Sequence, residues 1–338
     1  IAKTGLLAIV RGAKPGKTVL LRADIDALEM PEEADVPYKS TRPGYMHGCG
    51  HDGHAAGLLL SAIVLNELKD ELSGNVKFMF QPAEEGDGGA EPMIAEGILE
   101  NPKVEAAFAC HLWGSLPQGE VYVRKGAMMA APDVFKIKLT GKGGHGAMPH
   151  LAIDPVVMAA QVINNFQVIL SRYKNPIEPA VLSVCSIHGG EADNVIPNEV
   201  TMSGTIRSYD PELRDWIPKA MEDVLEGVCR TSGGTYTLDV LKRFPPVIND
   251  DNATELARAA ITKIVGADKV SDMPEPNMGA EDFAYLCQQV PSSMFLVGIA
   301  ESADKPQLHH NPYFQWDDSV MKISTACMCQ VAVDFLDS

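Results

Sequence analysis

The sequence is poor in positive charge. Lys and Arg number 28 against 45 Asp and Glu, a formal charge of −17 over 338 residues. A surface this acidic repels phosphate backbones and anionic lipid, which argues against nucleic-acid and membrane partners. Long hydrophobic runs are also lacking: the longest, around 57–65, is well short of a membrane span. The seven cysteines are odd in number and scattered, so they form no disulfide framework and point to a reducing compartment, the cytoplasm. There is no internal repeat, no low-complexity tract, no Gly-rich loop ending in Lys-Ser/Thr, and no G-x-S-x-G elbow. GKGGHG (141–146) resembles a dinucleotide fingerprint only loosely, since no acidic residue follows on a later strand. No signal peptide is visible; the chain opens at Ile1 in mid-pattern without Met, and a preceding segment is expected.

What is present is ordinary for a globular protein: 46% apolar and 22% charged residues. Single cores rarely grow past about 250–300 residues, so two domains are expected. The first 130 residues alternate strands with helices: TVLLRADIDAL (18–28), then the helical pattern from His51 to Asp70 opening on Asp52 as a cap, then NVKFMFQ, then VEAAFACHLWG (104–114). That alternation predicts an α/β fold with a mostly parallel sheet, whose sites form at the carboxyl ends of the strands. The stretch 132–243 reads as βαββαβ, the ferredoxin-like split unit, and Pro245-Pro246 marks its end. The expected plan is a larger domain in two parts, 1–131 and 244–338, with a smaller domain inserted at 132–243.

The densest chemistry lies in MHGCGHDGH (46–54). A Cys/His cluster of this kind signals metal binding rather than a polar loop. Cys49 and His51 stand two apart, and in an extended segment both side chains point one way. Thiolate plus imidazole suits zinc, and can accept cobalt, nickel or manganese. Glu84 and Glu85 in QPAEEGDGGA are adjacent, so they leave a strand in different directions: one can hold metal while the other serves a nucleophilic water as base. Asp24 and Asp26 share one face of a buried-looking strand and need partners, a metal, an imidazole or, less favoured, Arg22. His111 ends an apolar strand, where a satisfied core histidine is the plainer reading. His309 and His310 sit in a Pro-bounded loop, and His145 lies between glycines that permit close approach to a ligand, or a flexible surface loop. His188 has no supporting context and reads as structural. Cys327 and Cys329 fall on different faces of a probable helix and form no clip.

Together LRADIDALEM, MHGCGHDGHAAG, QPAEEGDGGA, HLWGSLPQG, GKGGHGAMP, IDPVVMAAQVI, NVIPNEVTMSGTIRS, MGAEDFAYL and LHHNPYF resemble the aminoacylase and dipeptidase family of two-metal metallopeptidases, in its amidohydrolase branch. The resemblance runs in order from Gly5 to the C-terminus, making the larger domain the catalytic one and the inserted domain its lid. It implies a two-metal centre (Mn or Zn, with Co or Ni as alternatives) held by Cys49, His51, Glu85, His111 and a C-terminal histidine. Counting back from Pro312 selects His310 and counting on from Leu308 selects His309; His310 is preferred. Glu84 matches the general base, and Asp26 the aspartate that supports a metal ligand. His145 matches the lid histidine that stabilises the oxyanion, often in the partner subunit's site. Asn194 and Arg207 match lid positions near the substrate carboxylate or scissile carbonyl, and Gly279, Ala280 and Glu281 the loop lining the acyl pocket. The family's opening helix and strand, with an R-x-x-H-x-x-P-E-like motif, are absent.

The resemblance implies hydrolysis of N-acyl amino acids or related small amides by a homodimer or higher homo-oligomer joined through its lids. A dipeptidase or a deacetylase of an amino-acid intermediate would use the same site. A non-catalytic metal-dependent binder is the alternative of another class, and Glu84 with His145 count against it.

Overall fold

The computed structural model describes residues 1–302 and 304–338. The strands are β1 Leu6–Arg11, β2 Lys14–Asp24, β3 Ser73–Gln81, β4 Ala106–Pro117, β5 Val121–Val123, β6 Gly126–Met129, β7 Ala131–Thr140, β8 Gly144–His145, β9 Ala180–His188, β10 Val195–Ile196, β11 Glu199–Ser208, β12 Thr235–Leu241, β13 Val247–Asn249, β14 Val270–Asp272 and β15 Ser292–Ala300. The helices are α1 His51–Glu67, α2 Ala90–Ala95, α3 Pro155–Val168, α4 Pro211–Ser232, α5 Asp251–Val265, α6 Ala284–Cys287 and α7 Met321–Asp337. They form two units: residues 1–128, 247–276 and 281–338 in the first, and 129–246 with 277–280 in the second. The inserted unit therefore reaches three residues beyond the expected 132–243 at each end, and it takes in a short segment, 277–280, that the sequence reading placed in the catalytic domain.

In the first unit every residue of 18–24 is buried, with Val19, Leu20, Leu21 and Ala23 apolar, and every residue of β15 is buried. Strands covered on both faces read this way. They pair as β1-β3-β2-β4-β15-β5-β14. β3–β2, β2–β4, β4–β15 and β5–β14 are parallel, while β1–β3 and β15–β5 are antiparallel, so the sheet is mixed and mostly parallel. Alternate residues of the strands (Val19 and Leu21, Val76 and Phe78, Ala106 and Phe108) join Leu58, Leu65, Ala257, Val331 and Leu336 of α1, α5 and α7 in one core. Pairing of β2 with β4 stops at Arg22 and Ala109, two residues short of Asp24 and His111. That divergence opens a crevice at the carboxyl ends of the strands.

The second unit is a four-stranded antiparallel sheet, β12-β7-β11-β9, the order of a ferredoxin-like unit. Phe135, Ile137 and Leu139 of β7 turn inward to meet Met158, Val162 and Phe166 of α3 and Ile217, Met221 and Leu225 of α4. Asp154 caps α3 by accepting from Val156 N–H ahead of Pro155, and Asp210 caps α4 by accepting from Leu213 N–H ahead of Pro211.

One local expectation fails. Helix α1 starts at His51, preceded by Gly50 at φ +86°, with no side-chain cap; Asp52 is exposed in the first turn.

Candidate metal centre

The crevice is built on a buried ion-pair network. Arg22, 2% exposed, donates to Asp24 at 2.8 Å, Glu281 at 2.8 Å, Asp282 at 3.0 Å and the Gln81 side-chain oxygen at 2.8 Å. Asp282 also accepts from Gln81 Nε2 and from the N–H groups of Gly89 and Ala90. So the Arg22 ion pair, the less favoured reading for Asp24, does form. The network ties the ends of β2 and β3 to the 281–282 segment, where Glu281 is 2% exposed and bound to Arg22. The acidic trio Glu84, Glu281 and Asp282 is thereby supplied with its cation from within the chain.

Above this floor the donors converge. One ligand atom each of Cys49, His51 and Glu85 lies within 4.8 Å of the others. His111 Nε2 stands 3.8 Å from Cys49 Sγ. His310 Nε2 donates to Glu85 Oε1 at 2.9 Å. His309 Nδ1 is 3.4 Å from Cys49 Sγ. The backbone is in the left-handed region at Ala83 (φ 60°), just before the two glutamates, and at His310 (φ 59°). Both are non-glycine positions that carry strain and hold site residues. The 307–310 segment lies so close to Gly114 that a Cβ there would sit 1.7 Å from the Gln307 carbonyl oxygen.

Hydrogen bonds sort the imidazoles. His111 Nδ1 faces the Leu112 carbonyl at 2.6 Å, which can only accept, so Nε2 keeps its lone pair toward Cys49. His51 Nδ1 faces the Asp26 carbonyl at 3.1 Å and carboxylate at 3.3 Å, and its buried Nε2 has no hydrogen-bond partner. Asp26 also accepts from Glu85 N–H at 3.0 Å, so it orients His51 and the Glu85 peptide together. These are the contacts that fix a metal-binding tautomer from behind. His309 and His54 differ. His309 Nε2 accepts from Gly114 N–H at 2.8 Å while its ring packs between Trp113 and Phe314. His54 Nε2 accepts from Leu112 N–H at 2.9 Å, and Nδ1 contacts Asp24 at 2.5 Å.

The electrostatics follow. Burial pushes the Glu84 carboxyl up, and the charges of Glu281, Asp282 and Asp24 raise it further, well above the ordinary value against the pull of Arg22. Burial also raises Asp24, but His51, His54 and Arg22 outweigh it and hold Asp24 well below the carboxylate range. Burial, then the neighbouring His54, keeps His111 neutral, and burial pushes His309 down to about 4. Burial and the charges of Glu85, Asp24 and Glu84 raise the Cys49 thiol. A thiol and several carboxylates that penalise one another, around the buried His51 Nε2 that has no hydrogen-bond partner, are a donor set that a divalent cation completes by displacing the protons. The residues present fit such a centre.

The remaining expected site residues belong to the second unit. His145 and Asn194 are neighbours there: His145 pairs with Val195, and Gly146 N–H donates to Asn194 O at 2.9 Å. His145 Nδ1 accepts from Ala147 N–H at 3.0 Å, so the neutral ring carries its proton on exposed Nε2. Arg207 is not beside them. Glu199, at the His145 end of β11, and Arg207 are separated by about 26 Å of strand at ~3.3 Å per residue. Gly279 O accepts from Ala130 N–H at 2.8 Å.

Sequence reasoning missed His54, although its i, i+3 spacing from His51 puts both on one face of α1. It also missed Asp282 and Gln81, whose partners lie some 200 positions away in the chain.

A centre that can hold two metal ions beside a spare glutamate defines a class, the metal-dependent hydrolases. Comparison with known proteins agrees. The chain belongs to peptidase family M20/M25/M40, whose profile matches residues 20–334. It is 45% identical over 250 residues to the N-acyl-L-amino acid amidohydrolase of Geobacillus stearothermophilus, covering 74% of this chain and 67% of that one. It is 38% identical to thermostable carboxypeptidase 1 of Saccharolobus solfataricus, covering 98% and 84%. The crystal structure of YXEP from Bacillus subtilis, a dinuclear metal binding peptidase of family M20, superposes with a TM-score of 0.84 at 32% identity, covering 99% and 86%. The protein is a metal-dependent hydrolase of amide bonds with a site for two divalent ions.

Proposed function

We propose that the protein hydrolyses the amide bond of N-acyl amino acids, with Glu84 as general base. The observation that carries this reading is the Glu84–Glu85 pair: Glu85 joins Cys49 and His51, while Glu84 is buried with its proton affinity raised. Divalent ions held by Cys49, His51, Glu85, His111 and His310 would polarise the carbonyl and acidify the attacking water. Glu84 takes the water's proton and hands it to the leaving amine, a task suited to a carboxyl of raised pKa. His145 Nε2–H donates to the oxyanion. Asn194 and Arg207 bind the amino-acid carboxylate or the scissile carbonyl.

The strand between His145 and Arg207 is too long for both to serve one small substrate from one lid. A homodimer, in which one of the two acts on the partner's substrate, removes the conflict. Cys49 as a soft donor favours zinc, with manganese, cobalt and nickel as the alternatives. Seven unpaired cysteines fit a reducing cytoplasm. The test is a panel of N-acetyl and N-benzoyl amino acids against dipeptides, run with metal content by mass spectrometry. Preferred turnover of the acyl substrates is expected. Turnover of dipeptides alone would make the protein a dipeptidase, and full metal without any turnover a binder.

A further inference from the structure

His54 belongs to a cluster, with Asp24, His51 and His111, whose ligand atoms lie within 4.8 Å of one another. Both its nitrogens are nevertheless spent: Nε2 accepts from Leu112 N–H at 2.9 Å, and Nδ1 contacts Asp24 Oδ1 at 2.5 Å. Asp24 is itself fixed by Arg22 at 2.8 Å. The other side of the Leu112 peptide matters more. The Leu112 carbonyl receives His111 Nδ1–H at 2.6 Å, which leaves His111 Nε2 facing Cys49 Sγ. The two rings also meet edge to face, with centroids 4.5 Å apart and planes at 68°. Beyond Ala109, β4 no longer pairs with β2, so the Leu112 N–H needs an acceptor that the ladder does not provide.

We propose that His54 is a positioning residue, not a metal ligand. Anchored by Asp24, it holds the residue-112 backbone so that His111 presents Nε2 to the metal in one tautomer and one orientation. The inference rests on the reading of His111 as a ligand. Contacts of this kind, one step behind a ligand, are worth about 10- to 100-fold in metal affinity.

The test is Co²⁺ titration of the metal-free full chain for the wild type, H54A, H54N and H111A. It is followed by the d–d bands and the thiolate-to-cobalt absorption of Cys49, with bound metal counted by mass spectrometry. Expected for H54A is an unchanged stoichiometry and d–d spectrum at saturation, reached with one site weakened about 10- to 100-fold. H54N can place its amide N–H at the Nδ1 position to donate to Asp24, but its shorter side chain does not reach the Nε2 position where Leu112 N–H finds its acceptor. It should show the same weakening, and it carries the test if H54A does not fold. A purely structural role would lower the melting temperature of the metal-free protein and leave that Kd unchanged. An unchanged Kd in both variants overturns the proposal. So does a stoichiometry that falls by one ion in H54A, which would make His54 a ligand. If H111A binds Co²⁺ as the wild type does, the reading of His111 fails and takes the proposal with it; loss of metal in H111A with intact binding in H54A sinks the proposal alone.

Discussion

Replacing Arg22 with methionine removes the buried cation that pairs with Asp24, Glu281 and Asp282 and leaves its volume largely filled. Asp24, Glu281 and Asp282 lose contacts of 2.8–3.0 Å, and all three carboxylates are at most 2% exposed. Removing one partner of a buried ion pair costs about 3–5 kcal/mol. Adding such a figure for each of the three pairs would reach about 9–15 kcal/mol, as much as a typical total stability of about 5–15 kcal/mol, but orphaned carboxyls escape by taking up protons, so a total of about 4 kcal/mol is expected. At about 2.1 cal/mol/K per residue, 338 residues unfolding together convert that to a fall of roughly 6 °C in Tm.

The pH dependence has a definite sign. Burial already raises Glu281 to about 8 with Arg22 present, and removing the Arg22 charge lifts it further above its unfolded value. A carboxyl raised on folding contributes stability below its unfolded pKa that is lost as pH climbs through the folded one. R22M should therefore be most impaired at pH 8 and recover toward the wild type at pH 5. Thermal and urea unfolding of both proteins in EDTA, which separates the effect from metal loading, measures this. An R22M protein as stable as the wild type at pH 8, or one whose deficit widens on acidification, would refute the reasoning.

Other expectations follow from the same contacts. H145A should lower kcat by about 10²–10³ with metal content and KM little changed, since an oxyanion donor acts in the transition state; steady-state kinetics on an N-acyl substrate checks it. C49S exchanges a soft donor for a hard one, so competition dialysis should show zinc losing ground to manganese relative to the wild type. G114A would place a Cβ 1.7 Å from the Gln307 oxygen and push the 307–310 segment away. It should cost about 1–3 kcal/mol and weaken metal binding, read by calorimetry and metal titration.

The layered architecture was legible because strand and helix periods alternate so clearly, and the four strands of the lid sheet each carry their own pattern. The donors close in sequence were legible too: Cys49 with His51, and Glu84 with Glu85, announce themselves by spacing. What was hidden depends on which atom of a side chain is already engaged. Nothing in HDGH tells His51, whose Nε2 is unsatisfied, from His54, whose two nitrogens bind Leu112 and Asp24. Nor could LHHNP show that His309 turns toward Gly114 and Cys49 while His310 turns toward Glu85. The pairing of Glu281 with Arg22 was hidden because the two lie 259 positions apart. The Asp52 cap failed because Gly50 enters α1 through a left-handed turn that brings His51 into the first helical position.

The account turns on Glu84, and E84Q tests it most directly when kcat and bound metal are measured on the same sample. The substitution keeps the shape and removes the base. The prediction is a protein that binds the wild-type amount of metal and loses about 10²–10⁴ in kcat. An E84Q enzyme with full metal and undiminished turnover of N-acyl amino acids would contradict it.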